Sequence, residues 1–215
     1  MSSKSFLELV GPKKAAIALV LIVLASVGLD QATKSHSEKF LKTWSHDTEI
    51  DLYKGQRQRV VGLGDEFGPG SYVSINLNYV RNQGAAWGAL ANMGERYRIP
   101  FFMGVTAVAV FVLFLFFRST PPSHRLARYG LALILSGAVG NFIDRIRLGY
   151  VVDWVDIHWR ILSWQYYFPN FNIADIAITL GVGSLLVDMV VSDIRRLTSQ
   201  NKAQLQSDTG AKPGP

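Results

Sequence analysis

Two Asn-x-x-Asp units carry the acids best suited to chemistry in this chain: Asn141 precedes Asp144 and Asn172 precedes Asp175, each by three residues. On a helix that spacing puts amide and carboxyl on one face. Steps of four back from Asp144 reach Gly140, Ser136 and Ala132, and steps of four on from Asp175 reach Thr179 and Gly183. Small side chains in such stripes let helices approach closely in lipid, so both acids are expected to face inward. Two carboxylates a few ångströms apart do not both ionise easily, and such a pair shares a proton and can hold a water as acid and base toward a peptide carbonyl. Asp175, at a helix N-terminus, is the expected base. Asp30 adds a third acid at the same depth. Such a cluster beside hydrocarbon is costly and marks a functional site by default. A solvated or helix-capping role is the bland alternative for a single interfacial acid, and the matched pair weighs against it. Asp188, on another face and seven residues from Arg195, reads as an ion-pair or helix-end residue.

Other chemistries lack their residues. Cysteine is absent, which excludes disulfides and thiol nucleophiles. His36, His46, His124 and His158 show no paired-ligand spacing, so each is expected as a solvated loop residue and no metal is expected. No G-x-S-x-G elbow, phosphate-binding glycine loop or lysine within an apolar span supports a serine hydrolase, a Ser-Lys peptidase or nucleotide use.

The acids are placed by four apolar blocks, Ala15 to Leu29, Ile99 to Phe117, Tyr129 to Ile143 and Ile173 to Val191. With their flanks they predict spans over about 14–31, 99–117, 126–146 and 173–192, each long enough for about 30 Å of hydrocarbon. A cleaved leader is disfavoured for the first block, because no small-x-small site precedes Asp30. Lys4, Lys13 and Lys14, then Arg118, Arg125 and Arg128, then Arg195, Arg196 and Lys202 flank the spans on one side, which predicts both termini in the cytoplasm. The third span then runs outward to Asp144 and the fourth runs inward from Asp175, so the two acids meet at the outer surface.

The first outer segment holds YVSINLNYV at 72–80, in which Val73, Ile75, Leu77 and Tyr79 alternate with polar residues as the buried side of a strand, and the turn-rich run Gly62 to Gly70 predicts a hairpin with 57–61. The second outer segment, 147–172, carries Trp154, Trp159, Trp164, Tyr166, Tyr167, Phe168 and Phe171, rings suited to the headgroup layer. The run from Thr198 to Pro215 reads as a solvated tail. Net charge is +6 with 22 basic residues, but these flank apolar blocks and form no patch interleaved with aromatics, so no nucleic-acid partner is expected.

DQATK at 30–34, YVRNQGAAWG at 79–88, GNFIDRI at 140–146, VVDWVDI at 151–157 and FNIADIAI at 171–178 resemble, in order, the motifs of the bacterial lipoprotein signal peptidases, the signal peptidase II family. The resemblance implies a four-transmembrane-helix bundle, all-α in class, with a small extracytoplasmic β-sheet cradle and a surface helix within the helix-like run 85–98. It implies a peptidase domain over 1–197 with a cytoplasmic tail at 198–215, set in the bacterial inner membrane. It further implies an aspartic endopeptidase with Asp144 and Asp175 as catalytic dyad, and with Asp30, Asn82, Asn141, Arg145 and Asn172 positioning substrate or ordering the site. The implied substrate is a prolipoprotein cleaved before its diacylglyceryl-modified cysteine; no cofactor is implied, and a monomer is expected in the lipid bilayer. The stretch 36–70 is longer than usual for that family, and Gln83 and Trp87 depart from its pattern. The alternatives are a transporter or proton channel using Asp144 and Asp175, disfavoured because the acids collect at one edge and not at mid-membrane, and a membrane scaffold, which would tolerate Asp144→Asn.

Overall fold

The computed structural model describes residues 12–41, 58–64, 70–83 and 94–208. Helix α1 spans Pro12–Phe40, α2 Glu95–Ser119, α3 Arg125–Leu148 and α4 Ile173–Asp208. All four are long and apolar enough to cross a membrane. Ile17, Leu24, Val108, Phe111, Leu180 and Leu186 lie exposed along their flanks, a pattern that hydrocarbon tolerates and water does not.

Helix α3 packs against each of the other three. Its closest approach is to α4: a Cβ on Gly130 would lie 2.7 Å from the Gly181 carbonyl oxygen, and one on Gly181 2.5 Å from the Gly130 oxygen. Backbone thus meets backbone, the arrangement small residues permit in lipid. The expected stripe on α3 is buried at Ala132, Ser136, Gly140 and Asp144. The one expected on α4 is not: Gly183 and Thr179 are exposed, and α4 buries Ala174, Ala177 and Gly181 instead. At about 100° per residue, that contact face lies on nearly the opposite side of α4 from Thr179 and Gly183, with Asp175 about 100° from Ala174. Asp175 therefore stands at the rim of the α3–α4 seam, half-buried, while Asp144 lies inside it.

Between and after the helices, β1 (Gln58–Leu63), β2 (Tyr72–Asn82), β3 (Val151–Ile161) and β4 (Trp164–Tyr167) form one antiparallel sheet in the order β1-β2-β3-β4. The predicted hairpin is present, with Val61 opposite Ile75 and Leu63 opposite Val73. The expected burial of β2 is met at Tyr79 but reversed over its first half. Tyr72, Ser74 and Asn76 are covered, whereas Val73 and Ile75 lie open. Period-two alternation says which residues share a face, not which face is covered, and beside a bilayer the apolar face has no need of a protein core. The aromatic segment 147–172 was expected on the membrane surface alone; it supplies β3 and β4 and completes the sheet. His158 is not a loop residue either: it is fully buried in β3, against Ser74 Oγ at 2.9 Å and Asn76 Nδ2 at 2.8 Å.

Two expectations fall on residues that are not described: most of the surface helix (84–93 of 85–98) and much of the long stretch 36–70 (42–57 and 65–69). Helix α4 continues to Asp208, through the first part of the expected tail, whose described side chains are exposed.

Candidate active site

Helix α1 continues past the predicted end of its span, and the stretch from Asp30 to Lys34 carries a buried charge cluster. Asp30 and Lys34, one turn apart, are 1% and 2% exposed, with Lys34 Nζ 2.9 Å from Asp30 Oδ2. The same Nζ lies 3.0 Å from Asp144 Oδ2 and donates to Asn141 Oδ1 at 2.8 Å. Asp30 Oδ1 accepts the Ala174 N–H at 2.9 Å, in the first turn of α4, where a carboxylate meets free backbone donors. Gly140 is required here, since a Cβ would sit 2.6 Å from Asp30 Oδ2. Lys34 thus joins α1 to α3, and Asp30 joins α1 to α4.

Asp144 is fully engaged. Its Oδ1 accepts Gln31 Nε2 at 3.0 Å, and its Oδ2 accepts the Val152 N–H at 3.1 Å beside Lys34. The reversal at Gly149, held left-handed at φ 78° with its N–H on Arg145 O, brings Val152 back to Asp144. Among the described residues no hydrogen bond joins Asp144 to Asp175; Asn141 stands between them, accepting from Lys34 and donating through Nδ2 to Asp175 Oδ1 at 2.9 Å. The Asp144 carboxyl is thus occupied by Gln31, Lys34 and the Val152 N–H, and it reaches Asp175 only through Asn141.

Another acid shares a partner with Asp175. Asp153, on β3, is buried and accepts Asn172 Nδ2 at 2.7 Å on Oδ1 and Asn82 Nδ2 at 2.9 Å on Oδ2. Asn172 also holds Asp175 on both sides, its own N–H donating to Asp175 Oδ2 at 3.2 Å and its Oδ1 accepting the Asp175 N–H at 3.0 Å. One asparagine therefore ties the two carboxyls together. Burial, and then the negative charge of Asp175, push the Asp153 carboxyl up to about 7, against the pull of Asn82, Asn172 and Lys34. This is the split that two carboxyls in one site produce. Asn82 reaches Asp153 because β2 carries one extra residue between Leu77 and Val80, which shifts its register on β3. Arg145 donates to Asn141 O at 3.4 Å, lies over Phe102 and feels the charges of Asp153, Asp175 and Asp144.

The structure therefore gathers Asp30, Asn82, Asn141, Asp144, Arg145, Asn172 and Asp175 at one end of the helices. To these it adds Gln31, Lys34 and Asp153, which sequence reasoning left without a role. The signals existed: Asp30 and Lys34 have ion-pair spacing on one helix face, and Val151 to Ile161 alternates Asp156, His158 and Arg160 with apolar residues as a strand does. Asp188 has a partner other than Arg195, His124 Nδ1 at 2.8 Å.

Residues 22–191, which hold every one of these site residues, match the family model described as signal peptidase (SPase) II. The chain belongs to the signal peptidase II family. Within this peptidase family it is 39% identical to the lipoprotein signal peptidase of Geobacter sulfurreducens over 81% of this chain and 92% of that one. It is 40% identical to that of Geobacter metallireducens over 84% and 94%. A lipoprotein signal peptidase of Syntrophotalea carbinolica is 52% identical over 53% of this chain and 66% of its own. Among solved structures, a bacterial membrane enzyme determined by the in meso method superposes with a TM-score of 0.58 at 27% identity, covering 92% of this chain and 93% of that one. The four apolar helices and the small open antiparallel sheet are the architecture of this signal peptidase II.

Proposed function

We propose that this chain removes the signal peptide from prolipoproteins as an aspartic endopeptidase, with Asp153 and Asp175 as the catalytic pair. The observation that carries the reading is the shared asparagine: Asn172 donates through Nδ2 to the Asp153 carboxyl and through its backbone N–H to the Asp175 carboxyl, while burial holds Asp153 up at about 7. Asp175 takes a proton from the attacking water, and the oxygen bonds to the scissile carbonyl carbon while Asp153 donates its proton to the carbonyl oxygen. The resulting gem-diol collapses by breaking the C–N bond, with one diol proton returning to a carboxylate and the other carboxyl's proton passing to the leaving amine. Asp144, Lys34 and Asp30 keep α1, α3 and α4 in register beneath this pair, and Arg145 supplies positive charge at its edge.

The cleaved bond lies before a diacylglyceryl-modified cysteine in this reading. A cysteine whose acyl chains lie in the outer leaflet presents its amide at the membrane surface, and the position of Asp175 at the start of α4 with Asp153 on the adjoining strand supports a meeting at that depth. The exposed rings of Trp164, Tyr166 and Phe168 support seating the sheet at the headgroup layer. The basic flanks support cytoplasmic termini in the bacterial inner membrane, and the charged residues concentrated at one end speak against a transport path.

The test mixes purified protein with diacylglyceryl-modified and unmodified precursor. Only the modified precursor is expected to be cut. Asp153→Asn and Asp175→Asn should each lower kcat by about a hundredfold or more with melting temperature kept, whereas Asp144→Asn should lower the melting temperature first. A fully active Asp153→Asn enzyme would overturn the pair.

A further inference from the structure

At the end of the helices opposite the acids, α1, α2 and α3 line a half-open cleft of about 290 Å³ walled by apolar side chains, including Leu19, Val23, Phe114, Phe117 and Leu135. Two arginines stand over that lining. The Arg128 guanidinium lies 4.7 Å from the centre of the Phe117 ring and that of Arg118 5.9 Å from Phe114, and both rings belong to the cavity. Arg128 Nε is buried and has no hydrogen-bond partner, and among the described residues no carboxylate pairs with either arginine. Arg128 lies one turn before Ala132, a lining residue, and sixteen residues before Asp144, about 24 Å along α3.

Two unpaired cations at the mouth of a dry apolar cleft, on helices that span a bilayer, match one kind of molecule in charge and in shape. We propose that this cleft is a binding site for one anionic glycerophospholipid, with a fatty acyl chain in the cavity and the phosphate on Arg118 and Arg128. The lipid belongs to the leaflet on the opposite side from the catalytic acids and is neither substrate nor product. What sets this place apart from the other apolar helix faces is a recessed cleft joined to guanidinium groups that, among the described residues, lack a counter-charge.

The test is native mass spectrometry of the full chain released from detergent after titration with phosphatidylglycerol or phosphatidylcholine of equal chain length. One retained phosphatidylglycerol per chain is expected, favoured roughly thirtyfold over phosphatidylcholine, whose choline cation cancels the net negative charge that two arginines in the headgroup layer attract. Arg118→Gln with Arg128→Gln should abolish the preference while cleavage of precursor continues. Leu135→Trp, which fills the cleft and keeps both charges, should weaken retention of either lipid. Equal retention of the two lipids by the unaltered chain would overturn the proposal, as would a preference that survives the double substitution or retention that survives Leu135→Trp. If the double variant fails to fold, the lipid preference of the unaltered chain and the Leu135→Trp result still decide the matter.

Discussion

Four buried or half-buried acids meet at the site, and their partners divide the labour. Asp30 and Asp144 share the Lys34 ammonium and backbone N–H donors, whereas Asp153 and Asp175 share only amides from neighbouring asparagines. An ion pair fixes a charge in place; amide partners leave a proton free to move. Lys34→Met leaves two buried carboxylates without a cation, and the expected loss is about 3–5 kcal/mol of stability. A melting measurement in detergent checks it: an unchanged melting temperature would remove Lys34 from its structural role. The Asp153 carboxyl, raised from 3.8 to about 7, makes the opposite kind of statement. Between those values the unfolded chain has released a proton that the folded chain keeps, so this group makes the fold less stable as pH rises from about 4 to 7. Asp153→Asn removes that slope and should melt higher than the unaltered protein at pH 8, with the difference gone at pH 4. For cleavage the acid form is needed, so kcat/KM should fall as pH rises through about 7. A profile flat to pH 9 would count against Asp153 as the acid. Sequence spacing singled out Asp144 because it sits on a helix in a small-residue stripe, and that stripe does bury it. What spacing could not show is that Lys34 is buried beside Asp144 and that a turn at Gly149 delivers another acid, Asp153, from a strand to the side of Asp175.

Helices and strands contribute to the site in different ways. Helix α3 supplies a platform by close packing, as Gly140 shows where the Asp30 carboxylate meets its backbone. Gly140→Ala forces a methyl to 2.6 Å from Asp30 Oδ2 and must displace either α1 or the bond from Asp30 to the Ala174 N–H. The expected cost is about 1–3 kcal/mol, together with a fall in kcat at unchanged lipid binding. Retention of full activity would show that α1 can shift without consequence. The four helices were legible in the chain because hydrocarbon demands uninterrupted apolar runs. Strand β3 was not, because its aromatic residues also suit a headgroup layer and its pairing with β2 is set by contacts far apart in sequence. The α4 stripe was placed on the wrong face for a related reason: small residues occur at both Gly181 and Gly183, and only the fit against Gly130 selects between them.

At the scale of the molecule, polar and apolar surfaces are distributed as a bilayer requires. Charges cluster at one end around the acids, apolar side chains cover the helix flanks, and arginines collect at the other end near the α2–α3 turn. The sheet continues this order, with Ser74, Asn76, Asp156 and His158 covered and Val61, Leu63, Val73 and Ile75 open. If the basic flanks set orientation, the α2–α3 turn lies in the cytoplasm and the β1–β2 hairpin outside. A chain without cysteine allows this to be read one position at a time. Ser123→Cys, before α3, and Ser71→Cys, beside β2, introduce single thiols at sites exposed to water. A membrane-impermeant maleimide added to intact spheroplasts should modify the cysteine at 71 and leave the one at 123 until the membrane is opened. The reverse pattern would put the acids on the inner surface, where a diacylglyceryl chain anchored in the outer leaflet could not bring its peptide bond to them.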